Sequence, residues 1–399
     1  MNPNLDRLEP YPFARLSNLL EGTQTSQAPH ISLAMGEPRH PAPQFLIDRL
    51  SEKDLLTEGL ATYPPTKGLP ALRTAIATFI NRRFKPALAD PEQQILPVNG
   101  TREALFAVAQ ALSNGKNRPL TMMPNPFYQI YEGAALLAGT QPLYLPCSPE
   151  TGFKPDFTQI TPETWSKVGL VYICNPGNPH GALMTLEEQQ ALIALALEHQ
   201  FVIVADECYS EIYRDEGDPP VGLLQAAAAL GNRDFKQCLA FNSLSKRSNL
   251  PGLRSGYVAG DARLIARFLE YRTYHGSAMP VHSQKISALA WLDETHVEQN
   301  RAQYRAKIKA FTETLAPVWP MSTPAASFYL WPETPIDDES FTRKLFSLEN
   351  VSVLPGSYLS RTVEGENPGA NRIRIALVAE PSACQEAAER IKSSFKDLS

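Results

Sequence analysis

The run from Phe241 to Tyr257, FNSLSKRSNLPGLRSGY, sets Lys246 just past an apolar stretch and two serines, with Arg254 following a Pro-Gly pair. A lysine that forms a Schiff base must be held rigidly and lose its proton easily. A phosphate beside it needs guanidinium, hydroxyl and backbone N–H donors. Arg254, Ser243 and Ser245 are groups of that kind. A lone S-x-S-K would read as a surface lysine, and the PGLRSGY tail is what favours the chemical reading.

Three further runs carry related chemistry. In VADECY, residues 204–209, Asp206 closes an apolar strand. A carboxylate there can pair with a ring nitrogen and keep it protonated, because a nearby opposite charge favours the charged form. Tyr209 can donate to a phenolic oxygen. Taken alone, Asp206 reads first as a helix cap after a strand, and Cys208 reads as a small filler at the strand end. In YICNPGNPHG, residues 172–181, the Asn-Pro-Gly-Asn-Pro turn is strongly constrained and can fix the Asn178 amide against a ligand. His180 reads as a loop residue. In NGTREAL, residues 99–105, Gly100 and Thr101 open a helix whose free N–H groups suit a phosphate. No Walker pattern accompanies it, so a nucleotide P-loop is not expected. Tyr128 in NPFY suits stacking on a ring, and Tyr63 in YPPTKG suits a phosphate. Arg374 sits inside the apolar run IRIAL. A buried guanidinium needs an anion, and a substrate carboxylate would serve.

The elements that must position these residues follow from periodicity. Leu69 to Phe84 and Thr101 to Leu112 are expected helices, the second capped by Thr101. Thr185 to Gln200 is a third, with Thr185 and Glu188 forming a capping box. Strands are expected at Gly169–Cys174, Phe201–Ala205, Leu239–Asn242 and Gly256–Gly260. Alternating strands and helices at this spacing predict an α/β fold with a mostly parallel sheet covered on both faces. Functional residues then gather beyond the carboxyl ends of the strands. Residues 1–45, rich in proline and turn formers, are expected to be an extended arm belonging partly to a small domain. The expected large domain is 46–280, and a smaller α+β domain is 281–399.

Composition narrows the class. The chain has 399 residues and a net charge of −5, so no broad positive field attracts nucleic acid. The five cysteines contain no CxxC pair, which argues against a disulfide framework or a metal knuckle. The opening MNPNLDRLEPYPF lacks the apolar core of a signal peptide, and no apolar run is long enough to span a bilayer. A cytoplasmic protein without membrane or nucleic-acid partners is expected.

Together, NPGNPxG, DECY, SLSK and PGLRSGY in this order resemble the class I/II aminotransferases of pyridoxal-phosphate (PLP) fold type I. The resemblance runs from GEP at 36–38 to RIAL at 374–377. It implies that Lys246 carries PLP as a Schiff base and that Asp206 pairs with the pyridine nitrogen. Asn178 and Tyr209 would hold the phenolic oxygen, with Tyr128 stacked on the ring. Gly100, Thr101 and Arg102, largely through backbone, would cradle the phosphate with Ser243 and Arg254. Arg374 and Gly36 would form the α-carboxylate site, with Asn178 beside it. Tyr63 would reach the phosphate of a neighbouring subunit, which implies a homodimer with shared sites. The substrates implied are an amino acid and a 2-oxo acid. The opening and the run FNSLSKRSNLPGLRSGYVAGD further resemble the proteobacterial succinyldiaminopimelate aminotransferases of lysine biosynthesis. Other amino donors (aspartate, alanine, acetylornithine) and a carbon–sulfur β-lyase remain open at this point. Arg39, Lys67 and Arg247 are the candidates for reading distal carboxylates.

Overall fold

The computed structural model describes residues 1–398. The N-terminal segment is more than an extended arm. Pro12 opens a helix, Pro12–Leu20, that buries Leu16 in a small cluster with Trp331, Tyr358 and Leu359. Proline suits the first helical position because no N–H is needed there. Ile31–Ser32 (β1) then pairs in parallel with Val351–Ser352, far along the chain. The long-range partner explains why local sequence signals miss this packing.

Seven strands form the central sheet: Ile95–Val98 (β2), Leu120–Asn125 (β3), Gln141–Pro146 (β4), Val168–Cys174 (β5), Val202–Asp206 (β6), Cys238–Ser243 (β7) and Gly256–Gly260 (β8). Their order is β2-β8-β7-β6-β5-β3-β4, with β8 antiparallel to both of its neighbours and the other pairs parallel. Side chains alternate between two cores, as the pleat requires. On β6, Ile203 and Ala205 face one core and Val202 and Val204 the other. Helices Pro70–Arg83, Leu186–His199 and Leu223–Ala229 cover the first face. Helices Thr101–Leu112, Ile130–Leu137 and Ala262–His275 cover the second. The capping box at Thr185 and Glu188 is present in both directions. The cap of Thr101–Leu112, however, is Gly100 at φ 79°, and Thr101 is the first helical residue. The tight exit from β2 needs the left-handed backbone that glycine tolerates and threonine does not.

Helix Val281–Leu292, which the expected division at 280 assigned to the second domain, buries Ile286, Ala290 and Trp291 in the first core of the large sheet. A third core gathers the last part of the chain. It is built from Ile308, Phe311 and Leu315 of helix Thr295–Leu315, from short strands Tyr329–Leu330 (β9), Val351–Ser352 (β10) and Ile373–Ala376 (β12), and from helix Pro381–Leu398, while Leu354 of strand Leu354–Pro355 (β11) joins the cluster around Leu16. Ile31 and Leu33 of the N-terminal segment complete it. Among the described residues no helix is long and apolar enough to cross a membrane.

Trp291 is fully buried, with ring centroids 5.0 Å from Phe79 and 5.1 Å from Tyr257. Trp291→Ala should lower unfolding stability by about 3–5 kcal/mol in a denaturant titration. A loss under about 1 kcal/mol would contradict this packing.

Candidate active site

One edge of the central sheet carries the site. Strands β2, β5, β6 and β7 end there and β8 begins there, so Gly100, Asn178, Asp206, Ser243 and Arg254 emerge from adjacent positions. They border a cleft of about 730 Å³ lined among others by Lys246, Tyr128, Tyr209, Tyr329 and Arg374. This is the crevice that an open α/β sheet offers at its carboxyl ends.

Lys246 stands on a four-residue helix, Leu244–Arg247, directly after β7. Ser243 caps that helix by accepting from Ser245 N at 3.0 Å. Lys246 Nζ donates to the Gly36 carbonyl. Burial lowers its pKa to about 8, with the Arg374 charge acting in the same direction and Cys208, Glu37 and Asp206 opposing. An amine in this state is readily available as a nucleophile or base.

Asp206 is 4 % exposed. Its Oδ2 accepts from Tyr131 Oη at 2.7 Å and its Oδ1 from Cys208 N at 3.2 Å. Burial raises its pKa, while these hydrogen bonds and the Lys246 charge hold it down. A cationic ring nitrogen facing it would strengthen the ionised form further. Tyr131, stacked on Tyr172 at 4.6 Å, has no local motif to announce it. Its partner lies 75 residues away.

The Asn175–Pro179 turn is tied down by Asn175, whose side chain donates to Val221 O and accepts from Met184 N, both at 2.9 Å. Asn178 Oδ1, so positioned, accepts from Arg374 Nη1 at 3.2 Å. Arg374 is 5 % exposed, donates to Ala34 O at 2.9 Å and stacks over Tyr329 at 4.4 Å. Its Nε has no partner, and no ion pair neutralises the guanidinium among the described residues. An anion is the missing counterpart. Gly36 is required beside it, because a Cβ there would lie 1.9 Å from Tyr329 Oη. Tyr209 and Tyr329 meet hydroxyl to hydroxyl at 3.0 Å.

Gly100 and Arg254 meet at the other end of the cleft. A Cβ on Gly100 would come within 2.3 Å of Arg254 Nη2. Arg254 donates to Pro251 O at 2.8 Å and to Asn99 O at 3.4 Å, and it lines the cleft together with Thr101, Ser243 and Ser245. Arg102 Nε donates to Tyr128 Oη at 2.9 Å, and its Nη2 donates to Tyr11 Oη at 3.1 Å. Thr101 Oγ1 contacts the buried Cys208 Sγ at 3.0 Å. This set of one amine, one buried carboxylate, a guanidinium-and-hydroxyl seat and flanking aromatic rings suits a planar cofactor with an aldehyde, a ring nitrogen and a phosphate.

Other expected residues stand elsewhere. Tyr63 is 98 % exposed and does not line the cleft of its own chain. Arg247 is fully buried, ion-paired with Glu294 and bonded to Ala290 O, so it cannot read a substrate. Lys67 pairs with Glu92 at 3.1 Å, and Arg39 is exposed outside the cleft lining. His180 accepts from Ala182 N, and burial lowers its pKa to about 4, which makes it a neutral piece of the turn. Tyr11, Phe13, Met35 and Glu37 bring the N-terminal segment into the cleft wall.

The comparisons with known proteins agree with this geometry. The family described as aminotransferase class I and II matches residues 28–391. An LL-diaminopimelate aminotransferase of Dehalococcoides mccartyi is 30 % identical, covering 92 % of each chain. The crystal structure of an aminotransferase from Neisseria meningitidis superposes with a TM-score of 0.93 at 45 % identity, covering 99 % of this chain and 100 % of that one. Aminotransferase AspB from Helicobacter pylori gives a TM-score of 0.89 at 36 % identity, covering 98 % and 99 %. The chain belongs to the class I and II aminotransferases, PLP-dependent enzymes of fold type I.

Proposed function

We propose that this chain moves an amino group between glutamate and N-succinyl-2-amino-6-oxopimelate, as a succinyldiaminopimelate aminotransferase of lysine biosynthesis. One observation carries the amino-acid chemistry: the Lys246 amine shares a cleft with buried Asp206 and with the unneutralised Arg374 guanidinium. The succinylated substrate is supported by the resemblance of the opening and of the Lys246 run, and by relatives named for diaminopimelate. Those same relatives favour a second reading, in which unsuccinylated LL-diaminopimelate is the substrate.

When bound, PLP supplies an aldehyde carbon, a ring that takes up the charge left at the substrate Cα, and a phosphate. Lys246 Nζ would hold the aldehyde carbon until the substrate amine takes its place. The Lys246 amine, being easily deprotonated, would be the group that moves the proton at the substrate Cα. Asp206, oriented by Tyr131, keeps the ring nitrogen protonated. Asn178 and Tyr209 hold the ring oxygen, and Tyr128 covers one ring face. Backbone N–H groups of Thr101 and Arg102, with Ser243 and Arg254, would seat the phosphate, whereas the Gly100 N–H that the resemblance also implied donates to Val98 O at 2.8 Å and Gly100 serves by its lack of a side chain. Arg374 would bind the α-carboxylate, and Gly36 leaves room for it. Tyr63 would reach the phosphate seat of a second copy, so the functional unit is a homodimer.

Absorbance titration of the PLP-loaded protein tests the substrate. Glutamate and N-succinyl-diaminopimelate should each convert the cofactor to its amine form. The succinylated donor should act at concentrations at least about tenfold below LL-diaminopimelate, aspartate, alanine or acetylornithine. Preference for LL-diaminopimelate would replace the succinylated substrate with the second reading. Release of pyruvate from cystathionine without an amino acceptor would instead mark a lyase.

The lowered Lys246 pKa gives a pH prediction. Only the neutral amine attacks an aldehyde, so the rate at which apoprotein takes up PLP should rise with pH through a midpoint near 8. A midpoint near the ordinary lysine value of about 10.4 would show that Lys246 is not held out of water.

A further inference from the structure

The helix that carries Lys246 has four residues and cannot stabilise itself, because so short a helix leaves most of its backbone groups unpaired. Its N-terminal end is capped by Ser243. Its C-terminal end is met from a distant element. Asn300, 3 % exposed on helix Thr295–Leu315, donates through Nδ2 to Lys246 O at 3.1 Å and to Arg247 O at 3.2 Å. Its Oδ1 accepts from Asn249 Nδ2 at 2.8 Å and lies 2.8 Å from His40 Nδ1.

The hydrogen bonds fix the state of His40. An amide oxygen only accepts, so His40 Nδ1 carries a proton and donates. The Nε2 is buried without a partner, and the ring packs on Tyr304 at 4.4 Å. Burial disfavours the imidazolium, and Lys307 adds to this while Asn300 and Glu380 oppose. His40 is therefore a neutral donor of one tautomer. It lies four residues past Gly36, whose carbonyl receives Lys246 Nζ. The segment 36–40 is thus joined to the lysine twice, once at the side-chain amine and once through Asn300 at the main chain. Loading of the amine would break the first link and leave the second.

We propose that Asn300, held in orientation by His40, is a positioning residue that fixes the Lys246 main chain and so keeps its amine in the water-poor part of the cleft. This rests on the reading that Lys246 holds the cofactor. The side chain of Asn300 touches neither substrate nor cofactor and acts through the two carbonyls alone. A lysine freed at its main chain would let its amine reach water, and its affinity for protons would return toward the ordinary value.

The test starts from purified holoenzyme stripped of PLP. Uptake rate against pH is compared for native protein, Asn300→Ala and His40→Leu, alongside kcat, KM and thermal unfolding. In Asn300→Ala the uptake midpoint should move up by about half a pH unit or more. Its kcat should fall about tenfold with KM changed less than about twofold, the pattern of a group misplaced for the chemical step. His40→Leu, which removes one of the two groups that hold the Asn300 amide oxygen and leaves the Asn249 donor, should shift the midpoint the same way by less. It also keeps the test open should Asn300→Ala not fold. His40→Gln, which can still donate, should restore the native midpoint. A variant with lowered thermal stability but native midpoint and kcat would overturn the proposal and leave Asn300 a packing residue. Native protein that takes up PLP without any titration near 8 would instead overturn the reading of Lys246 on which it rests.

Discussion

Burying an ion without a counter-ion is costly, and the cleft holds Asp206 and Arg374 buried beside a half-buried Lys246. Asp206, Arg374 and Lys246 converge there, yet they are not paired with one another. Asp206 takes its hydrogen bonds from Tyr131 and a backbone N–H. Arg374 gives its own to neutral oxygens of Ala34 and Asn178. Burial moves the proton equilibria of Asp206 and Lys246 toward their neutral forms. Such an arrangement is unfavourable for a bare protein and favourable once a ring nitrogen, an aldehyde and a substrate carboxylate supply the missing partners. The cleft is in this sense built around ligands.

The rest of the fold serves that constraint. Five strand ends at one edge of a rigid sheet deliver the polar groups, and the two cores on its faces prevent them from relaxing toward each other. The antiparallel β8 matters here, because it alone begins at that edge and so brings Arg254 back beside Gly100. The third core supplies Arg374 on β12 and, through its long helix, the Asn300 amide beneath Lys246. The third core thus holds the substrate-side Arg374 against Asn178 of the large sheet and also braces the lysine.

Much of this was legible in the sequence wherever one short run determined the outcome. FVIVAD reads as a buried strand ending in a carboxylate, and TLEE reads as a capped helix start, because both depend on neighbours within a few residues. The cofactor-side residues stand together because their motifs close β2, β5, β6 and β7 or open β8 at one end of a single sheet. What was not legible depends on partners far along the chain. Tyr131, Tyr329 and Asn300 lie outside the recognised motifs, and their roles come from contacts 75, 120 and 54 residues away. The N-terminal segment looked extended because its prolines mark turns locally, while β1 finds its partner only at Val351. Arg247 looked available beside Lys246, but a Glu294 carboxylate from the turn between two later helices claims it.

The central claim is that the Lys246 amine both holds the cofactor and moves the Cα proton. Single-turnover mixing of glutamate with PLP-reconstituted Lys246→Ala protein tests it most directly. The account predicts that the variant folds, as judged by its circular dichroism. It also predicts that glutamate converts the bound cofactor to its amine form at least about a thousandfold more slowly than in the native protein, with partial rescue by added primary amines. Conversion within about tenfold of the native rate would contradict it, and would assign the proton transfer to another group in the cleft.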